Sequence, residues 1–266
     1  MVIMMSAFET TAPDSVAYLD RLAATDLGRD YKGRMLALLD ARPGQTVLDL
    51  GCGPGTDLGA LAGAVGGEGH VIGVDRDPRM AARAHTRTAS GARVQVVLGD
   101  AHALPLPDGG VDRARTDRVL QHVADPAAAL AELRRVLRPG GRLVMGEPDW
   151  DTLAIDHPDV ATARAYTRHV AERVVRNSVV GRQLPRLAAE AGFEVPAVVP
   201  VTPVFRDLAA ADRILGIERN TRRAVEAGYL TADAAREWLD RLATGPFLAT
   251  ATLHIVIADA PRHSPV

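Results

Sequence analysis

One stretch constrains this chain more than any other: Val47-Leu48-Asp49-Leu50-Gly51-Cys52-Gly53-Pro54-Gly55-Thr56-Asp57. An apolar strand runs into three glycines at alternate positions and then into a helix start. That order builds a tight turn where a ligand can press against backbone N–H groups. The spacing narrows the ligand class. A dinucleotide fingerprint places glycines at its first, third and sixth positions, the last for close helix–strand packing. Here the fifth position is Gly55, the sixth is Thr56, and Asp49 stands two residues before the first glycine. An acid there suits a ligand carrying a cationic group rather than a pyrophosphate.

Further segments follow in order. His70-Val71-Ile72-Gly73-Val74-Asp75 is an apolar strand ending in an acid, and Val94 to Ala101 is another ending in Gly99-Asp100-Ala101. A fourth strand begins near Asp112. Asp125-Pro126 then opens a helix with Leu130, Leu133 and Leu137 on one face and a stop at Pro139-Gly140. S-adenosylmethionine, with its α-ammonium, carboxylate and sulfonium, fits the acid at Asp49. On these residues, over about 42–150, the chain resembles the class I S-adenosylmethionine-dependent methyltransferases, whose first motif reads (V/I)LD(V/L)GCGxG. The overall likeness is to their quinone-biosynthesis and natural-product members. The resemblance implies an α/β fold: a doubly wound, mostly parallel seven-stranded Rossmann-like sheet with helical cap insertions. It implies that Asp75 accepts hydrogen bonds from ribose hydroxyls, that Asp100 meets the adenine amino group and that the backbone N–H of Ala101 meets the ring. Asp49, Gly51, Cys52, Gly53, Arg76 and Thr116 complete the expected contacts to the cofactor, with S-adenosylhomocysteine as its product form. Taken singly, Asp49 and Asp75 also read as structural acids; together, at these offsets, they point to the cofactor. Cys52 reads as a small buried filler rather than a nucleophile, and Asp57 as an acid favouring the positive end of the next helix.

With 266 residues the chain is long enough for one large α/β domain with a cap and too short for two independent enzyme domains. A net charge of −2 provides no field for nucleic acid, and 4% aromatics leave few platforms for unpaired bases. One cysteine excludes an internal disulfide and a thiolate metal cluster. Met1 to Thr11 lacks the pattern of a secretory signal, and no apolar run reaches bilayer length. The expectation is a soluble cytoplasmic protein with neither a membrane nor a nucleic-acid partner.

The plan has three parts. Residues 1–41 read as an N-terminal helical cap segment: a loose tail to residue 12, then helices broken near Gly28. Residues 42–150 read as the S-adenosylmethionine-binding core, with strands near 46–50, 70–75, 93–98, 112–116 and 142–147 alternating with helices, which demands a parallel sheet with right-handed crossovers. Ligands in such sheets bind outside the carboxyl ends of the strands, where the glycine loop, Asp75 and Asp100 all fall. Residues 151–266 supply the remainder of the sheet and helical insertions at 158–192 and 207–244, with a sixth strand over 195–205 and a last one over 247–257. The 207–244 insertion reads as a lid over the acceptor or as a dimer surface, which leaves a homodimer open.

Methyl transfer from a sulfonium is an in-line displacement, so the protein must bring the acceptor atom within roughly 3–3.5 Å of the methyl carbon and exclude water. A base is needed only where an acidic proton must leave. In similar enzymes Thr116 to His122 lies beside the methyl group, which makes His122 the candidate base, with a packing role as its alternative, and Gln121 a candidate pocket residue. Arg115, Asp117 and Arg118 must be paired or face a polar cleft, and read as an Arg–Asp network shaping the pocket. In related enzymes the leading helical segment lies over the cofactor, which makes Tyr18 and Tyr31 pocket candidates. Trp150, among Glu147, Asp149 and Asp151 at the end of the fifth strand, is placed to stack on a flat substrate or attract the sulfonium. Asn177 and Arg182 complete the acceptor set.

Several substrates are excluded by residue type. Thr116-Asp117-Arg118-Val119 departs from the (D/N/S)PP(Y/F) motif of amino-group methylation on bases. The lone cysteine lies in the cofactor loop, which removes C5-pyrimidine and arsenite chemistry. No carboxylate group suggests a metal, and Asp156 and His157 do not make one. A small organic acceptor remains, methylated at oxygen, nitrogen or carbon without a metal. Three rival readings stay open: a rearrangement or cyclisation using the same cofactor, an NAD(P)-dependent oxidoreductase on a similar sheet, and a cofactor-sensing binding protein without turnover.

Overall fold

Consecutive apolar residues in a strand point to opposite faces, so Val47-Leu48, Val144-Met145 and Ile255-Val256 each require cover on both sides of a sheet. The computed structural model, which describes residues 15–89 and 93–262, provides it. The strands are β1 (Thr46–Leu50), β2 (His70–Asp75), β3 (Val94–Leu98), β4 (Val111–Asp117), β5 (Leu137–Ile155), β6 (Glu194–Val201), β7 (Val204–Phe205) and β8 (Ala249–Asp259). Their order is β3-β2-β1-β4-β5-β8-β6, with the two-residue β7 attached to β8. The strands β1 to β5 pair in parallel, while β8 runs antiparallel to both β5 and β6. On one face Leu48, Leu50, Met145 and Val256 pack with helices α5 (Pro126–Val136) and α7 (Val180–Glu190). On the other, Val47, Val144, Ile255 and Ile257 pack with α2 (Asp26–Leu39) and α3 (Leu58–Val65). A further helix, α4 (Pro78–Thr88), lies against β2 and β3.

A second core forms the cap. The helices α6 (Val160–His169), α8 (Leu208–Leu215), α9 (Ile217–Glu226) and α10 (Ala232–Thr244) gather around Trp238 and Tyr166, whose rings stack at 5.2 Å. β5 explains the attachment. The strand runs on to Ile155, well past the expected 147, because Trp150, Leu153 and Ile155 bury themselves in this second core. No helix of the described residues is long and apolar enough to cross a membrane.

Three boundaries differ from the sequence reading, each for a local reason. The N-terminal helices part at Ala24-Thr25, between α1 (Ser15–Ala23) and α2, rather than at Gly28. Thr25 caps α2 by accepting the Gly28 N–H at 2.9 Å. Gly28 sits inside α2, where a Cβ would stand 2.1 Å from the Leu22 carbonyl oxygen. The expected strand over 195–205 is interrupted at Thr202-Pro203, since proline has no N–H for the ladder. The helical pattern after 207 divides at Gly216, which has φ 59°. The loose tail expected at 1–12 lies outside the described residues.

Candidate active site

The strand order reverses between β1 and β4, and ligands in such sheets bind in the crevice this opens at the carboxyl ends. The loop after β1 turns there through three left-handed glycines, Gly51, Gly53 and Gly55, with φ of 69°, 53° and 79°. Gly51 is the tightest: a Cβ would stand 2.2 Å from Cγ2 of Val119. The N–H groups of Gly51 and Cys52 donate to the Val74 carbonyl at 2.7 and 3.1 Å, and that of Gly53 donates to Asp75 Oδ2 at 2.9 Å. Asp77 N–H holds the other Asp75 oxygen at 2.9 Å, so the carboxylate is fixed in orientation. Burial nonetheless pushes the Asp75 carboxyl up from its ordinary range.

This loop forms one wall of a cleft of about 1020 Å³, open at its mouth. Asp75, Arg76, Asp100, Ala101 and His122 line it, together with Leu19, His102 and Arg118. Asp100 accepts the backbone N–H of His102 at 2.9 Å and pairs with its ring at 2.5 Å, and these contacts hold its carboxyl below the usual range. His122 lies in this cleft rather than in the carbon-walled cavity described below.

A polar recess adjoins the cleft, lined by Asp49, Gly51, Cys52, Gly53, Asp57, Lys32, Arg115 and Asp117. Its charges form a network. Lys32 pairs with Asp57 and, at 2.8 Å, with Asp117; Arg115 reaches Asp57 at 3.1 Å, Asp117 at 3.2 Å and Asp49 at 3.6 Å. Tyr31 donates its hydroxyl to Asp117 at 3.1 Å. Burial pushes the Asp49 carboxyl up to about 6, against the pull of Arg115. Burial acts on Asp117 too, but Lys32, Arg118 and Arg115 outweigh it and hold that carboxyl well below the usual range. Cys52 has its thiol pushed strongly up by burial, as fits a packing residue.

A second cavity of about 670 Å³ has mostly carbon walls: Leu22, Pro148, Trp150, Phe205, Leu215 and Leu253 among them, with Tyr18, Tyr31, Gln121 and Arg118. Its polar groups are engaged with one another or with the chain. Trp150 Nε1 donates to Gln121 Oε1 at 2.8 Å, Gln121 Nε2 to the Arg118 carbonyl at 3.2 Å and the Tyr18 hydroxyl to the Ile214 carbonyl at 3.3 Å. Burial pushes the Tyr31 hydroxyl up to about 12.

Three residues expected at ligands lie elsewhere. Thr116 is fully buried in β4 and lines none of the three spaces, because it stands beside Leu50 and Met145 on the face of the sheet covered by α5 and α7. Asn177 spends its amide on the Leu120 and Val123 carbonyls at 2.8 and 2.9 Å, tying down the segment beside His122. Arg182 is drawn to buried Asp149, at 2.9 Å, and to Asp151, at 3.2 Å. Glu147 is not aimed at an acceptor either; it takes the N–H groups of Val119, Leu120 and Gln121 at 2.8, 2.6 and 3.3 Å. Asp57 begins α3 but makes no side-chain cap, spending its charge on Lys32 and Arg115. Sequence reasoning missed Lys32, since a single lysine on an amphipathic helix reads as solvated; the signal was the buried Tyr31 beside it. Among the described residues no group of three or more His, Cys, Asp or Glu side chains could hold a metal ion.

The donor set matches S-adenosylmethionine: acceptors at Asp75 and Asp100 for hydroxyl and amino groups, and a recess with both signs of charge for an amino-acid zwitterion. A family model described as a methyltransferase domain matches residues 41–192, more than half of the chain. An uncharacterized 37.1 kDa protein encoded in a transposon of Streptomyces fradiae is 64% identical over 253 residues, 95% of this chain and 73% of that one. A demethylmenaquinone methyltransferase of Staphylococcus aureus is 34% identical over 137 residues, 52% of this chain. The match spans only 57% of the Staphylococcus enzyme's length. In fold, the chain is similar to a phosphoethanolamine N-methyltransferase of Haemonchus contortus solved with S-adenosyl-L-methionine, at a TM-score of 0.61 and 18% identity over 98% of this chain and 60% of that one. The chain belongs to the methyltransferase domain family and is a class I S-adenosylmethionine-dependent methyltransferase.

Proposed function

We propose that the protein methylates a small, largely apolar acceptor held in the carbon-walled cavity, mainly by positioning and without a metal. One observation carries this reading: that cavity and the cofactor cleft share a wall at Arg118, so an acceptor in the one lies next to a cofactor in the other. The Staphylococcus relative's name points to a quinone-type acceptor, and a flat apolar body of that kind suits walls of Trp150, Phe205 and Leu215.

When bound, S-adenosylmethionine supplies an activated methyl group and leaves as S-adenosylhomocysteine. The chain's own residues do the rest. Asp75, already oriented by two N–H groups, keeps lone pairs for ribose hydroxyls. Lys32 and Arg115 face the carboxylate of the amino-acid end, while Asp49, Asp57 and Asp117 face its ammonium. Tyr18, Leu215 and Phe205 close over the acceptor and exclude water.

The test is release of S-adenosylhomocysteine by the full chain with a panel of apolar phenols, carboxylic acids and amines, repeated with Ala251→Phe, which fills the cavity wall. A panel member should stimulate release, and Ala251→Phe should abolish that stimulation while leaving S-adenosylhomocysteine affinity unchanged. Turnover that survives in Ala251→Phe would put the acceptor elsewhere.

A further inference from the structure

The wall shared by the two cavities is a charged one. Arg118 lines the cofactor cleft, the polar recess and the acceptor cavity alike, and it is the one residue common to all three. It is also the only charged side chain among the described residues lining the acceptor cavity. The other polar groups there are engaged with protein partners: Tyr31 with Asp117, Tyr18 with the Ile214 carbonyl, Gln121 with Trp150, and Thr252 with Thr202 at 3.2 Å.

The backbone at Arg118 is unusual as well. Its φ of 57° is left-handed, a conformation that a side chain of this size rarely adopts. The strain is held from both sides, by the Arg118 N–H donating to the Gly146 carbonyl at 2.8 Å and by Glu147 gathering the next three N–H groups. A non-glycine residue kept in such a conformation by its surroundings is a pointer to function.

Charge supplies the third argument. Lys32, Arg115 and Arg118 balance Asp49, Asp57 and Asp117 across the network. Asp117 is shared by all three cations: Lys32 at 2.8 Å, Arg115 at 3.2 Å and Arg118. S-adenosylmethionine carries a net single positive charge, from its ammonium, sulfonium and carboxylate. An acceptor bearing one negative charge would restore neutrality at the place where the two cavities meet.

We propose that Arg118 anchors an oxyanion of the acceptor, and that the substrate class is an apolar carboxylic acid or acidic phenol methylated at that oxygen; this rests on the carbon-walled cavity being the acceptor site. The guanidinium fork matches a carboxylate or phenolate. In the reaction an oxygen lone pair forms the new O–CH₃ bond, the S–CH₃ bond breaks, and its electron pair stays on sulfur. No proton leaves, so no general base is required, in keeping with the place of His122 in the cofactor cleft. The product is a neutral ester or ether, which no longer pairs with Arg118 and is free to depart.

The experiment is calorimetric titration of the full chain, saturated with sinefungin, an unreactive analogue that carries an amine cation where S-adenosylmethionine has its sulfonium, with two matched pairs: octanoate against octan-1-ol, and 4-nitrophenolate against nitrobenzene. In the wild type the anion of one pair or both should bind at least about tenfold tighter than its neutral partner, as a charge-assisted contact requires. The pair that shows the preference identifies carboxylate or phenolate as the source of the oxyanion. Arg118→Gln should remove the preference, and Arg118→Lys, which keeps the charge, should retain part of it; both variants are compared at saturating cofactor analogue, so a change in its own affinity does not enter the anion-to-neutral ratio. Equal binding of anion and neutral partner in the wild type would overturn the proposal. So would a preference that survives Arg118→Gln, or an Arg118→Gln effect confined to sinefungin. The underlying reading fails separately: if Ala251→Phe leaves the binding of every probe intact, the cavity is not the acceptor site.

Discussion

The cofactor cleft and the carbon-walled cavity meet at one arginine yet are built on opposite principles. The cleft and its recess take most of their walls from short runs at strand ends: the glycine loop after β1, Asp75 to Met80 after β2, Gly99 to His102 after β3 and Arg115 to Val123 at the end of β4. The groups there are charged, hydrogen-bonded and bound to particular backbone conformations. The carbon-walled cavity is assembled from α1, α2, the segment after β4, the second half of β5, the β6–β7 corner, α8 and β8. The lesson is that a site made by backbone geometry leaves marks in local sequence, whereas a site made by packing leaves almost none. The comparison can be pressed by substitutions that should affect one side and spare the other.

The largest effect is expected in the network. Lys32 and its partners Asp57 and Asp117 have side chains 13%, 19% and 7% exposed, so removing the lysine uncovers two carboxylates with little water to replace it. Lys32→Met should lower unfolding free energy by about 3 kcal/mol in denaturant titrations, the low end for breaking a buried pair. Adding Asp57→Asn should recover part of that loss, since the two sites are coupled. A Lys32→Met variant as stable as the wild type, or additive losses in the double variant, would show that the recess is solvated and its charges independent.

Asp75→Ala tests the cofactor side alone. Loss of a charge-assisted contact should weaken S-adenosylmethionine binding by about 1.5–3 kcal/mol, or roughly 10–150-fold in a calorimetric titration. Binding of the octanoate probe in the second cavity should be unaffected. An unchanged affinity for S-adenosylmethionine would remove Asp75 from the cofactor site.

What was legible in the sequence follows the same division. Strands β1 and β2 have the expected bounds because each is a short apolar run closed by a turn or a charged residue. The glycine loop could be read because positive φ at three alternate positions leaves few other residue types. The Arg115–Asp117–Arg118 network could be expected because charges on a central strand need partners. Lys32 could not, since its partners lie 25 and 85 residues away. Arg182 and Asn177, expected at the acceptor, are engaged elsewhere, and their sequence context gives no sign of whether a polar side chain on α7 or in the turn before it faces a ligand, an acid such as Asp149 or a pair of carbonyls. The overrun of β5 into the cap was hidden for a similar reason: Glu147-Pro148-Asp149 reads as a loop until the burial of Glu147 and Asp149 is known.

The smallest and most selective effect concerns Glu147, which belongs to neither cavity but holds the segment that joins them. It is fully buried beneath Val119, Leu120 and Gln121. Burial pushes its carboxyl from 4.5 up to about 8, and the N–H groups of Leu120 and Val119 offset this only in part. Between those values the folded protein holds a proton that the unfolded chain has released. The stability that this proton lends is therefore complete below 4.5 and is lost as pH rises through about 8. Asp49, raised to about 6, and His169 and His254, lowered from 6.5 by burial, also change near pH 6, so Glu147 is read between pH 7 and 8 as the difference from Glu147→Gln, which shares those groups. There the wild type should lose stability with a slope of at most about 1.4 kcal/mol per pH unit. Glu147→Gln keeps an acceptor for the Val119 and Leu120 N–H groups but cannot titrate, so its denaturation curves should lack that slope. Parallel curves for the two proteins would mean that the three N–H groups already ionise Glu147 in the fold. The segment that carries Arg118 would then be held by a charge rather than by a neutral acid.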